Sequence, residues 1–269
     1  MSDFFNNKVI VITGGSDGIG KAMIETLLAR GAKIATCGRN QDKLYQLQLA
    51  NPDKPLHCVV ADVSKYNDCQ LLIQSTLDQF GHIDILINNA GISMRSLFAD
   101  ADVEVIKKLM DINFMGAVYC TKLALPSILE RKGSIISVSS IAGFRGLPGR
   151  SGYSASKFAL NGWMEALRTE LLDEGVNVLW VCPGFTKSNI RNAALNGKSE
   201  AQGESPLDEQ SLMSAATCAN HILDAIEKRK RTLVLTATGK RTIWINKLFP
   251  SLADRLTRNF FYKKGKLVK

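Results

Sequence analysis

The stretch Lys8-Val9-Ile10-Val11-Ile12-Thr13-Gly14-Gly15-Ser16-Asp17-Gly18-Ile19-Gly20 decides the fold. Its first half, Lys8 to Thr13, is a short run of β-branched residues, the pattern of a strand buried on both faces. From Ile19 to Arg30 the apolar residues Ile19, Met23, Leu27 and Leu28 fall on one side of a helix. Between strand and helix, Gly14, Gly18 and Gly20 allow unusual backbone angles, let a pyrophosphate approach the amides, and let the helix pack on the strand. The helix N-terminus then faces the phosphates. The spacing is GxxxGxG rather than GxGxxG, so the turn by itself points only weakly to a bound dinucleotide.

Working outward, similar β-branched runs recur at Lys33–Cys37, Leu56–Val60, Ile83–Ile87, Ser134–Ser139, Val176–Cys182 and Thr232–Leu235, with helical periods between them. That alternation predicts an α/β fold: a doubly wound, Rossmann-type parallel sheet of about seven strands flanked by helices. Ligands are then expected beyond the carboxyl ends of the strands. Residues 1–239 read as a single domain followed by a basic extension, 240–269. Within the domain, the polar segment from Pro183 to Gln210 is long enough for a lid over a binding site, or for a disordered insertion.

The chain has 269 residues, 45% of them apolar and 22% charged, which excludes disordered, collagen-like and disulfide-scaffold classes. No apolar run reaches the roughly 18 residues of a membrane span, and the N-terminus lacks a signal-peptide pattern. A cytoplasmic protein is expected, with peripheral membrane contact left open by the tail. The six cysteines never form CxxC and the three histidines are scattered, so no metal site is predicted. The net charge of +9 is confined to one end: residues 228–269 hold 13 Lys and Arg and one acid, Asp254, leaving 21 bases against 24 acids before them. A near-neutral body argues against nucleic acid as a partner.

The segments that follow the strands carry the chemistry. After the second strand, Gly38-Arg39-Asn40 stands where an acid would accept from the 2′-hydroxyl of NAD and an arginine suits the 2′-phosphate of NADP. Gly38 and Arg39 therefore favour NADP(H) over NAD(H), but the position before Gly18 is Asp17 and not a base, which leaves phosphate recognition to Arg39 with Asn40. After the third strand, Asp62 reads either as a partner for an adenine amino group or as an Asx-type cap. Then come Asn88-Asn89-Ala90-Gly91, Asn113 inside a helix, Ser139-Ser140 at a strand end, and Tyr153-Ser154-Ala155-Ser156-Lys157. Tyr153 and Lys157, four apart, share one helix face. A neighbouring ammonium is expected to lower the tyrosine pKa from its usual value near 10 and make the phenol a usable acid or base. Ser140 can hold a substrate carbonyl oxygen near that phenol.

These motifs, TGGSDGIG, NNAG, Asn113, ISVSSIAG, YSASK and Cys182-Pro183-Gly184, occur in one register from about Asn7 to Leu235 and resemble the short-chain dehydrogenase/reductase superfamily. The resemblance implies an NAD(P)-dependent oxidoreductase that moves a hydride between nicotinamide and a carbonyl or secondary alcohol. Its catalytic set would be Asn113, Ser140, Tyr153 and Lys157, with Ser140 preferred to Ser139 by its spacing from Tyr153. Tyr153 would exchange the proton, Lys157 would hold the nicotinamide ribose, and Asn113 would link Lys157 to a proton relay through water. Gly14, Ser16, Asp17, Gly18, Ile19, Gly20, Arg39, Asn40, Asp62, Val63, Asn89, Ala90 and Gly91 would line the cofactor site. Pro183, Gly184 and Thr186 would flank the nicotinamide.

The stretch Pro183-Gly184-Phe185-Thr186-Lys187-Ser188-Asn189-Ile190-Arg191 and the basic C-terminus resemble the branch containing 11-beta-hydroxysteroid dehydrogenases, which implies a hydrophobic, steroid- or lipid-like carbonyl substrate. A 3-oxoacyl thioester reductase of fatty acid synthesis is the alternative enzyme, and a non-catalytic nucleotide-binding scaffold the alternative class. The resemblance also implies a homodimer or homotetramer joined through two long helices, roughly 103–125 and 152–174. In the tail, residues 240–262 mix aromatic and leucine side chains with Lys and Arg and are interrupted by Pro250, which predicts two short helices. They fit an anionic membrane interface, packing on the body of the protein or on another subunit, or the rim of a hydrophobic substrate mouth.

Overall fold

A computed structural model of the chain describes residues 4–268. Seven strands, β1 (Val9–Thr13), β2 (Lys33–Gly38), β3 (Leu56–Val60), β4 (Ile85–Asn88), β5 (Ser134–Val138), β6 (Asn177–Cys182) and β7 (Thr232–Val234), form one parallel sheet in the order β3-β2-β1-β4-β5-β6-β7. The chain reverses its winding between β1 and β4, so their carboxyl ends part to leave a crevice. Every residue of β1, β4, β5 and β6 is buried, as expected for strands covered on both faces.

Helices α1 (Gly18–Ala29) and α2 (Gln41–Leu49) follow β1 and β2, and α3 (Tyr66–Phe80) follows β3. A continuous helical rod then runs through α4 (Val103–Met110), a π-helical turn Asp111–Met115, and α5 (Gly116–Glu130). Next come α6 (Ser151–Glu170) and α7 (Ala215–Glu227). One face of the sheet packs Met23, Ile24 and Leu27 of α1 with Ile222 and Ile226 of α7. The opposite face packs Leu72 of α3, Cys120 and Ala124 of α5, and Leu160 and Met164 of α6. The rod 103–130 contains an 18-residue window apolar enough for a membrane span. Cys120 and Ala124 of α5 carry part of its apolar side into this core, and 44% of that window is buried.

Below the sheet, at the amino ends of the strands, buried Asp84 accepts the Val9 N–H (2.9 Å) and pairs with His82 (3.0 Å) and Arg131 (3.1 Å). This ties β1, β4 and α5 together on the side away from the crevice. Burial pushes the Asp84 carboxyl up, but the Val9 N–H, Arg131 and His82 outweigh it and hold the group below the usual carboxylate value.

The C-terminal segment folds into α8 (Ala237–Leu248), α9 (Pro250–Phe261) and a small hairpin of β8 (Tyr262–Lys263) and β9 (Lys266–Leu267). Pro250 opens α9 at its first position, where a missing N–H is harmless. The helix begins at Ala237, so the expected boundary at 239 falls inside its first turn. The tail docks on the body: Asn246 donates to the Phe144 carbonyl (3.0 Å), Arg145 donates to Asn246 (2.9 Å) and pairs with Asp254 (2.5 Å), and Phe260 stacks on Phe185. Phe261 is buried, whereas Trp244, Phe249, Leu252 and Leu256 stay exposed.

Candidate active site

The glycine turn sits at the mouth of the crevice. Gly14 and Gly18 have φ of 68° and 55°, the left-handed region that glycine enters without strain. A Cβ on Gly14 would lie 2.9 Å from the Ala90 backbone, and one on Gly20 would strike the Gly14 carbonyl. Thr13 Oγ1 accepts the backbone N–H groups of Asn89 and Ala90 (3.0 Å each). The Asn89 amide donates back to the carbonyls of Thr13 (2.9 Å) and Gly14 (3.0 Å). Asn89 is thus a strut between β1 and β4, and its side chain is committed to the protein. Across the crevice, Ser188 of the 183–210 segment faces Gly18. The glycine-rich turn at the start of α1, which begins at Gly18 and Ile19, fits a dinucleotide pyrophosphate.

At the end of β2, Ser16 Oγ lies against Gly38, and Arg39 is exposed beside it. Asn40 turns out to cap α2: its side chain accepts the Lys43 N–H (2.8 Å), as an asparagine before a helix commonly does. Lys43, which the sequence reading passed over, reaches back and pairs with Asp17 at 2.5 Å. That contact, outweighing burial, holds the Asp17 carboxyl below its usual value. The acid that spoke against a phosphate is therefore neutralised locally. Asp62 adopts an Asx turn, accepting both the N–H (3.0 Å) and the hydroxyl (2.8 Å) of Ser64, while Val63 packs on Gly116.

The π-helical turn carries Asn113 into the crevice, a role such bulges often play. Its Oδ1 accepts the Ile92 N–H (2.8 Å) and its amide donates to the Ile92 carbonyl (3.0 Å) and to Ser156 Oγ (2.9 Å). A Cβ on Gly91 would lie 3.1 Å from Asn113 Oδ1 and 3.6 Å from Lys157 Nζ, so Gly91 is where these two groups meet. Lys157 donates to the Val138 carbonyl (2.9 Å) and sits 5.8 Å from the Tyr153 ring centre. The two serines after β5 separate cleanly. Ser139 is buried and donates to Asn161 (2.5 Å), whereas Ser140 lies close enough to the Tyr153 phenol to lower its pKa.

The electrostatics differ from the expectation that Lys157 lowers the tyrosine. Burial raises the Tyr153 pKa, and the opposing influences are the Ser140 hydrogen bond and the charges of Arg150 and Arg191. Lys157 is itself pushed down to about 8 by burial, because a buried ammonium loses hydration. Arg150 and Arg191 were not read as site residues from the sequence. Their charges act on Tyr153 from the residue before α6 and from the 183–210 segment.

That segment is pinned rather than loose. Leu195 donates its N–H to the Ser93 carbonyl (2.9 Å), Arg95 donates its N–H to Leu195 (2.8 Å), and Lys187 donates to Met213 (2.8 Å). Pro183 follows β6, Gly184 has φ of 76° against Thr236, and Thr186 is buried, its carbonyl accepting from Arg191 (2.7 Å). Among the described residues no group of three or more His, Cys, Asp or Glu is placed to hold a metal.

Comparison with known proteins agrees with this geometry. The family model described as short chain dehydrogenase matches residues 8–199. Dehydrogenase/reductase SDR family member 7B of Mus musculus is 34% identical over 271 residues, covering 98% of this chain and 84% of that protein. The 11-beta-hydroxysteroid dehydrogenase-like 4A of Arabidopsis thaliana is 34% identical, covering 93% and 84%. A short chain dehydrogenase/reductase of Burkholderia phymatum solved with NAD superposes with a TM-score of 0.80 over 94% of this chain and 96% of its own, at 24% identity, which speaks for the fold. With the glycine turn, the Ser140–Tyr153 contact and Lys157 in one crevice, these matches place the chain in the short-chain dehydrogenase/reductase family, as an NAD(P)-dependent oxidoreductase.

Proposed function

We propose that the protein is an NADP(H)-preferring reductase of hydrophobic carbonyl compounds, working in the reverse direction on secondary alcohols. The observation that carries the cofactor preference is the cationic end of the crevice: exposed Arg39 after Gly38, with no acid at the end of β2 and Asp17 neutralised by Lys43. The bound nicotinamide would supply the hydride. Ser140 holds the carbonyl oxygen, Tyr153 gives it the proton, and Lys157, with Asn113 beside it at Gly91, faces the ribose and the route by which the proton is replaced. The stack of Phe260 on Phe185, two residues after Pro183 at the end of β6, supports a hydrophobic substrate.

The tail supports a second contact. Exposed Trp244, Leu248, Phe249, Leu252 and Leu256 alternate with Lys240, Arg241, Lys247 and Arg255, the composition of a helix lying on an anionic membrane surface. We read the protein as cytoplasmic and peripherally membrane-bound, and as a dimer or tetramer formed through the 103–130 rod and α6, where Phe158 is exposed.

Loss of NADPH and of NADH absorbance over aromatic ketones, steroid ketones, quinones and 3-oxoacyl thioesters tests the reading. NADPH oxidation with free ketones, and much slower oxidation of NADH, is the expected result. Preference for acyl thioesters would move the protein to fatty acid synthesis instead.

A further inference from the structure

We propose that the substrate carries an anionic group, a carboxylate or phosphate monoester, and that Arg150 and Arg95, with Arg191 behind them, anchor it beside Tyr153. This deepens the carbonyl-reductase reading and rests on Tyr153 facing the reacting oxygen.

The three arginines are far apart in sequence and are laced together by main-chain hydrogen bonds. Ser96 donates its N–H to the Gly149 carbonyl (2.9 Å), which sets Arg95 next to Arg150. Arg95 donates its own N–H to Leu195 (2.8 Å), and Ala194 donates to the Arg191 carbonyl (3.2 Å), which brings in the 191–195 segment. Arg150 is the cap residue of α6, in the turn that presents Tyr153.

Like charges are not gathered in a partly buried place without compensation. Arg95 is compensated by Glu204 (3.0 Å), whose side chain is 77% exposed and so free to swing away, and by Gln202 (2.9 Å). Arg150 is different. Among the described residues no carboxylate pairs with it, and its buried Nε has no hydrogen-bond partner; its recorded neighbour is the Phe261 ring, 5.8 Å from the guanidinium. Burial lowers its pKa, Arg95 and Arg191 lower it further, and Tyr153 alone opposes them. Such a guanidinium lacks an anion that the protein does not supply, and a planar fork suits carboxylate or phosphate.

A cavity of about 410 Å³ opens at Arg95, walled by Glu204, Ser205, Pro206, Leu267 and Val268. Leu267 also packs against Gly149, next to Arg150. One wall is the Arg95–Glu204 pair and another is aliphatic, so an amphiphile whose anionic head displaces the exposed Glu204 from Arg95 fits here.

Non-reactive probes separate this inference from the reductase assignment, because binding needs no turnover. Calorimetric titration of the full chain with octyl phosphate, octanoate and 1-octanol is expected to show the anions binding at least about tenfold more tightly than the alcohol. Arg150→Met should abolish that difference, Arg95→Met should reduce it, and Arg150→Lys, which keeps the charge, should restore part of it. For turnover, Arg150→Met should raise KM for 4-oxononanoate by a larger factor than it raises KM for the methyl ester, and Arg95→Met should do the same. Equal binding of anion and alcohol by the wild type would overturn the proposal. So would anion binding that survives Arg150→Met and is lost in Arg39→Ala, which would put the anion in the cofactor's phosphate site. If 4-oxononanoate and its ester lose turnover alike in Arg150→Met, with a shifted pH profile, the arginine acts on Tyr153 and not on the substrate.

Discussion

Lys157 is the residue at which function and stability oppose each other. Its ammonium is buried, held by one carbonyl, and pushed down from 10.5 to about 8. The unfolded chain therefore binds more protons than the folded one between those values, so this group makes stability rise with pH there. Below about pH 8 the buried cation destabilises the cofactor-free protein fully. Lys157→Met is expected to lose activity yet gain on the order of 1–3 kcal/mol of stability at neutral pH, and to lose the rise in melting temperature above pH 8. Thermal denaturation of cofactor-free protein at pH 7 and pH 9 checks this. Arg39 gives a second prediction at this scale. Arg39→Ala should weaken NADPH binding by about 10- to 100-fold, as the loss of a charge-assisted phosphate contact does, while NADH binding changes little. Fluorescence titration with each cofactor measures it.

Which residues were legible follows from how they are brought together. Tyr153 and Lys157 could be read because four-residue spacing on a helix is a local property. Ser140 and the glycine turn could be read because strand ends mark the sheet edge. Arg95, Arg150 and Arg191 could not, since main-chain bonds between loops, not periodicity, unite them. Lys43 was missed although it lies in the first turn of α2, where a long side chain can fold back on the glycine turn.

Among the elements, the strands were anticipated within a residue or two because buried parallel strands are continuous apolar runs. The largest shift is β4, which starts at Ile85 rather than Ile83; Ile83 and Asp84 sit below the sheet, where Asp84 gathers its partners. The π-helical turn at Asp111–Met115 was not anticipated, because a single wider turn is too short for its own period to stand out between two helices. The Asp84 cluster yields an element-scale prediction. Asp84→Asn should destabilise the protein by about 2–4 kcal/mol at neutral pH, since it leaves Arg131 and a buried N–H poorly matched. Because the folded carboxyl lies below its unfolded value, its contribution is present above about pH 4 and fades as pH falls further. The difference between wild type and variant in urea should shrink accordingly below pH 4.

For the whole molecule, the charge asymmetry seen in composition becomes a spatial one. A near-neutral body carries a cationic, aromatic tail that docks on residues 141–145 and reaches the 183–210 segment through Phe185 and Phe260. Replacing Trp244, Phe249 and Leu252 by serine should abolish co-sedimentation with vesicles containing phosphatidylserine, without altering reduction of a soluble ketone. Co-sedimentation that is unchanged would assign those side chains to another copy of the chain.

The central claim is that this crevice reduces a carbonyl by proton transfer from Tyr153. It is tested most directly by measuring, on the same preparation of Tyr153→Phe, the affinity for NADPH and the rate of ketone-dependent NADPH oxidation. The account predicts wild-type affinity with turnover reduced by at least about a thousandfold. Undiminished turnover in that variant would contradict it.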